Sequence, residues 1–225
     1  MPKLKNIYKS YNELEIFSDF SFEFTNKSIN CILGPSGCGK TTLLNLLAKT
    51  IEPDGGEIKG LPPRISYVFQ EPRLLPWKTV RKNIEFVLVD HLDPEEVKNR
   101  TDKYLKLVEL DKFENYYPGR LSGGMKQRAS LARAFSYDSG LILMDEPFNS
   151  LDYKLKKTLG NAFMRLWEAD KRTVVYVTHD IDEAVQFGQF IIVLEGPPVK
   201  ILKRFITSDF ENKLALKEEI IGLID

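Results

Sequence analysis

The chain has 225 residues, 43% of them hydrophobic and 28% charged, a balance that suits one globular unit able to bury its own core without staples. Its 32 Lys and Arg residues equal its 32 Asp and Glu residues, so no net field draws it onto a polyanion and no nucleic acid is expected as a partner. The opening MPKLKNIYKSYNE lacks an apolar signal core and the longest apolar runs are too short to span a bilayer, which predicts a chain soluble when isolated.

Residues 1–30 alternate polar and apolar side chains with turn residues between them, which predicts short antiparallel strands. Residues 29–33, 141–144, 173–177 and 190–194 are compact apolar runs of the kind found in strands covered on both faces. Helix-forming stretches separate them, so the core reads as α/β with a mostly parallel sheet. The only cysteines, Cys31 and Cys38, fall in the first of these runs and in the loop after it, which fits reduced, packed thiols and not a disulfide framework. No Cys/His cluster has the spacing of a zinc site.

After the run 29–33 comes Gly34-Pro35-Ser36-Gly37-Cys38-Gly39-Lys40-Thr41, then Thr42 and a helix-forming stretch to residue 49. Strand, glycine-rich loop, Lys-Thr and helix together make a phosphate loop: the backbone N–H groups and the helix start face the phosphates of ATP, Lys40 reaches the β- and γ-phosphates, and Thr41 ligates Mg2+. Gln70 ends another apolar stretch, 65–69, where its amide can reach the metal or the attacking water.

Residues 71–136 hold helical patterns and no buried-strand run, which predicts a helical lobe inserted in the sheet. Within it Asp93 is a cap, Pro94 the first helical residue and Glu96 the third. LSGGMKQR follows at 121–128: Ser122 with the amides of Gly123 and Gly124 begins a helix and makes a second anion-binding loop, one without the lysine and hydroxyl needed to hold a nucleotide alone. Four apolar residues then run into Asp145 and Glu146 at the carboxyl edge of a strand, where Asp145 suits the Mg2+ shell and Glu146 the attacking water. His179, one of two histidines, follows the run 173–177 and stands at the same edge, near the γ-phosphate. Near the end, Leu214, Leu216, Ile220, Ile221 and Leu223 lie in a Lys/Glu-rich segment that reads as a surface helix packed locally, with a dimer contact as the alternative.

In this order the motifs resemble those of the ATP-binding subunits of ABC transporters, over nearly the whole chain. GPSGCGKTT resembles their Walker A motif, Gln70 the Q-loop glutamine, LSGGMKQR the signature, LILMDEP the Walker B motif, Ser150-Leu151-Asp152 the D-loop and His179 the switch histidine. The resemblance implies an ABC ATPase fold: a P-loop NTPase core, an N-terminal antiparallel β lobe and the inserted helical lobe, in one domain spanning 1–225. It implies that Tyr11 stacks on adenine, the alternative being an ordinary strand tyrosine. It also implies a homodimer packed head to tail, in which Leu121, Ser122, Gly123, Gly124 and Met125 of one copy cap the γ-phosphate held by the other. ATP then acts as glue, and hydrolysis to ADP and phosphate releases the pair.

Residues 70–77, with Met125 in the signature, resemble the subgroup of bacterial importers for nitrate, sulfonate, taurine and pyrimidine precursors. That implies a membrane permease and, through it, a solute-binding protein as partners, and a peripheral place on the cytoplasmic face of the membrane. Leu74, Leu75 and Trp77 then either touch the permease or pack the lobe on the core. Three stretches depart from the pattern without removing a catalytic group: Asn149 and Ser150 before Leu151, residues 137–140, and a short segment between Gly60 and Ile65. A non-transport ABC ATPase is disfavoured because the chain has no coiled-coil insertion or second ATPase half. A small-molecule kinase leaves the signature unexplained, and a binding-only sensor has no use for Glu146 and His179.

Overall fold

The computed structural model describes residues 1–149 and 151–224, so Ser150 lies outside the described residues. Strands β1 (Lys3–Tyr11) and β2 (Leu14–Glu23) pair antiparallel, and the third strand of their sheet, β4 (Gly55–Lys59), arrives from beyond the first helix to give the order β2-β1-β4. The two strands are nine and ten residues long, longer than the alternation alone suggests. β4 is hidden in the sequence by its two glycines. Gly56 has a φ of 85°, and an added Cβ would stand 2.1 Å from the Asn6 carbonyl oxygen, so both the backbone conformation and the close approach call for glycine.

The second sheet has six strands in the order β5-β6-β7-β3-β8-β9. β3 (Ile29–Leu33), β5 (Ile65–Val68), β6 (Leu141–Asp145), β7 (Thr173–Thr178) and β8 (Phe190–Glu195) run parallel, and β9 (Lys200–Ile206) closes one edge antiparallel to β8. The four apolar runs are therefore strands, and they read as continuous because successive side chains feed different cores. Ile142, Met144, Val174, Tyr176, Ile191 and Val193 face one apolar cluster; Leu141, Leu143, Val175, Val177, Ile192 and Leu194 face the other. The second cluster is completed by Leu43, Leu44, Leu46 and Leu47 of α1 (Lys40–Leu47) and by Phe17 and Phe20 of β2.

Three helices lie between β5 and β6: α2 (Val80–Glu85), α3 (Pro94–Leu107) and α4 (Gly123–Ser136). Asp93 caps α3, accepting from the backbone N–H of Glu95 and Glu96, with Pro94 as the first helical residue. α5 (Tyr153–Asp170) and α6 (Ile181–Phe187) cover the same face of the sheet as α4, and α7 (Lys213–Ile224) packs on α6. On α7, Leu216 and Ile220 are buried and Leu214 is exposed. No helix among the described residues is long and apolar enough to cross a membrane.

Candidate active site

β3 delivers the chain into a loop that exists because of its glycines. An added Cβ at Gly34 would stand 2.7 Å from the Leu194 carbonyl oxygen, while Gly37 and Gly39 take φ values of 79° and 109°. No side chain caps α1 and no acidic residue sits in its first turn, so its initial N–H groups face outward unopposed. Lys40 is buried, and its ammonium donates to the carbonyls of Gly34 at 2.8 Å and Pro35 at 2.7 Å. The Cys38 thiol is buried beneath the loop, and burial pushes its pKa up against the pull of Lys40. Cys31, within β3, is likewise held as a thiol by burial.

Above the loop is a cavity of about 220 Å³ lined by Ile16, Ser36, Gly37, Gly39, Lys40, Thr41, Thr42 and Glu146. Tyr11 is not among its walls. It ends β1, 44% exposed, with the Lys9 ammonium 5.8 Å from its ring centre. Ile16 of β2 supplies the apolar wall instead, a residue with no polar signal to single it out in the sequence.

Asp145 and Glu146 close β6 beside this cavity. Asp145 is half-buried; one carboxylate oxygen lies 3.5 Å from the Thr41 hydroxyl and the other accepts from the Tyr67 hydroxyl at 3.3 Å. Burial raises its pKa, and the Thr41 and Tyr67 bonds act the other way. Glu146 leaves the strand with a φ of 42°, a conformation a residue with a side chain seldom adopts. One of its oxygens accepts from the Asn149 amide at 2.9 Å and meets Nδ1 of His179 at 3.0 Å. His179 reaches it from the end of β7, the strand next to β6. Behind the histidine, Asp180 caps α6 and accepts from Lys156 at 2.7 Å. Burial works against its ionisation, but that bond and the helix N–H groups hold its carboxyl below the usual range.

Gln70 follows β5, exposed and without a described hydrogen bond; Tyr67 is the β5 side chain that reaches Asp145. Tyr67 and Lys156 escaped the sequence reading because each acts through a tertiary contact, and the bond of Asn149 to Glu146, three residues away, was not read from the sequence either. Only the dipeptide Asn149-Ser150 carried a signal, as a departure from pattern.

Thr41 and Asp145 present hard oxygen donors side by side, and no group of three or more His, Cys, Asp or Glu among the described residues forms a closed metal cage. That donor set suits Mg2+, which keeps waters and phosphate oxygens in its shell, and does not suit a soft metal.

The loop at 121–125 leads into α4 and lies apart from this cavity. Ser122 caps α4, its hydroxyl accepting from the Met125 N–H at 3.3 Å, with no acid in the first turn. Gly123 faces open space, whereas an added Cβ at Gly124 would stand 2.3 Å from Leu155 of α5. Leu121 is buried, Met125 packs on the core, and the buried Gln127 amide donates to the Pro147 carbonyl at 2.8 Å. None of residues 121–125 lines the cavity over the phosphate loop. Leu151 packs on the core and Asp152 caps α5 through the Leu155 N–H at 2.9 Å.

Comparison with known proteins agrees with this arrangement. The family model described as ABC transporter matches residues 17–149. An uncharacterized ABC transporter ATP-binding protein of Methanocaldococcus jannaschii is 37% identical over 222 residues, 93% of this chain and 83% of the relative. The aliphatic sulfonates import ATP-binding protein SsuB of Bacillus cereus is 36% identical over 217 residues, 93% of this chain and 84% of the relative. Among solved structures, a dimeric ATP-binding cassette in a post-hydrolysis state with ADP and Pi superimposes with a TM-score of 0.76 at 31% identity, covering 92% of this chain and 99% of the other. A phosphate loop shared with many enzymes would not draw such matches; carried along nearly the whole length, they show that this chain is an ATPase belonging to the ABC transporter family.

Proposed function

We propose that the chain is the ATP-hydrolysing subunit of an importer, in which two copies close head to tail around ATP and drive a separate membrane permease. The observation that carries this reading is the separation of two anion sites on one chain. Lys40, Thr41, Asp145, Glu146 and His179 gather at the carboxyl ends of the adjacent strands β3, β6 and β7, while the start of α4, capped by Ser122 and open at Gly123, lines none of that cavity. An anion loop that serves no site of its own chain is suited to the phosphate of another. Leu151 and Asp152 would lie along the same contact.

In the closed pair the triphosphate lies on the N–H groups of residues 36–42, and Lys40 turns from the Gly34 and Pro35 carbonyls to the β- and γ-phosphates. Thr41, Asp145 and, on loop closure, Gln70 would hold Mg2+, which shields the phosphate charge. Glu146 takes the proton of the attacking water; Asn149 and His179 fix its carboxylate, and with Glu146 ionised the Nδ1–H of His179 donates to it. Tyr11, exposed at the end of β1, is the aromatic proposed to stack on adenine.

The aliphatic-sulfonate import relative supports the importer reading; the cargo proposed, of the nitrate, sulfonate, taurine or pyrimidine-precursor type and delivered by a solute-binding protein, follows from the resemblance of residues 70–77. Trp77, 70% exposed, and the exposed Phe86 offer the permease an apolar contact, and the chain would then work peripherally at the cytoplasmic face. Replacement Glu146→Gln tests the reading. ATP affinity should hold, hydrolysis should fall about 100-fold or more, and gel filtration with ATP should show a dimer; a chain that stays monomeric with ATP bound would sink the shared site.

A further inference from the structure

Asp145 is held from two sides, and only one of the holders belongs to the phosphate loop. One oxygen faces Thr41 of the phosphate loop; the other is engaged by the hydroxyl of Tyr67, two residues before the end of the sheet-edge segment that Gln70 follows. The Tyr67 ring stacks on Phe69, with centroids 4.2 Å apart and planes 16° from parallel, and the Arg73 guanidinium lies 3.7 Å over the centre of Phe69. Arg73 is in turn pinned to the helix that carries the second anion loop: Arg133 of α4 donates to the Arg73 carbonyl at 3.0 Å and to the Pro72 carbonyl at 3.2 Å. Three flat groups in a row therefore join the Asp145 carboxylate to the loop bearing Leu74, Leu75 and Trp77. A phenylalanine at 67 would fill the same space, so packing alone gives no reason for the hydroxyl.

We propose that Tyr67 is a positioning residue that sets the Asp145 carboxylate for metal-bound ATP, and that the stack through Phe69 to Arg73 makes this setting depend on where the loop after Gln70 stands. The inference rests on the ATPase reading above and adds to it a route between the permease-facing loop and the metal-binding carboxylate. When the loop is seated, the stack is in register and Tyr67 holds the second oxygen; when the loop shifts, the hydroxyl is drawn off and the carboxylate is free to rotate away from Thr41.

The experiment uses the full chain. Nucleotide affinity is measured in EDTA, and Mn2+ affinity by electron paramagnetic resonance in the presence of a non-hydrolysable ATP analogue. For Tyr67→Phe, metal-free nucleotide binding should stay within about twofold of wild type while Mn2+ binds about tenfold more weakly, and excess Mg2+ should restore hydrolysis. Arg73→Ala should weaken Mn2+ binding by about threefold, and the double variant should be no worse than Tyr67→Phe, as expected for one pathway. Unchanged Mn2+ affinity in Tyr67→Phe overturns the positioning role, as does a parallel loss of metal-free binding, which marks a folding defect. Unchanged affinity in Arg73→Ala overturns the link to the loop. Wild-type chain that binds Mn2+ no better with nucleotide than without it would instead overturn the ATPase reading itself.

Discussion

Lys156 sits where no sequence motif pointed, yet it joins the start of α5 to the turn that carries His179. Its ammonium bonds Asp180 at 2.7 Å and Glu183 at 3.0 Å, and buried Glu183 also accepts from Tyr176 at 2.7 Å and Thr178 at 3.0 Å. Asp180 is held below the usual carboxyl range and Lys156 above the usual amine range. The acid contributes stability above its unfolded pKa, near pH ~4, that is lost as pH falls through the lower folded value; the amine contributes stability below its unfolded pKa, near pH ~10.4, that is lost as pH rises through the higher folded value. Replacement Lys156→Met should therefore cost about 1–2 kcal/mol near pH 7. In chemical denaturation the gap to wild type should narrow toward pH 3, and a gap independent of pH would assign the loss to packing. The same residue shows what a linear reading misses. Lys40, Asp145 and Glu146 sit in short patterns that announce their chemistry, whereas Lys156 and Asp180, or Tyr67 and Asp145, meet only because parallel strands bring their ends to one edge.

At the level of elements, a strand was legible when it was a compact apolar run or alternated polar and apolar residues, as β1 and β2 do, and illegible when charges or glycines broke both patterns. β3, β6, β7 and β8 are buried and mostly apolar, but β9 reads KILKRFI, with Lys and Arg exposed, and β4 begins with two glycines. The caps were legible too, because Asp93 and Ser122 act on N–H groups two or three residues ahead. The two glycine-rich loops differ in what surrounds them, which gives a paired test. Gly34→Ala drives a Cβ into the Leu194 carbonyl and should destabilise the fold by about 1–3 kcal/mol in thermal unfolding. Gly123→Ala meets open space and should leave stability within about 0.5 kcal/mol. If a neighbour's phosphate approaches that amide, the same variant should still cut hydrolysis about tenfold; full activity would show that nothing approaches it.

For the whole molecule, the decisive property is whether one chain completes another. Lys40→Ala damages the phosphate loop and Ser122→Arg blocks the start of α4, so each variant alone should be inactive by the phosphate-release assay. A mixed pair keeps one intact pocket, formed by the undamaged loop of each partner. Equal mixing should recover about a quarter of wild-type turnover, since half the pairs are mixed and each has one working site of two. No recovery on mixing would argue for pockets that are complete within single chains. The buried bond from Gln127 to Pro147 bears on such a pair, because it ties α4 to the turn just after Glu146. A chain that lends its helix to a neighbour's ATP would then brace its own Glu146 by the same act, so what happens in one pocket would be felt in the other, and recovery below a quarter in the mixed pair would measure that coupling.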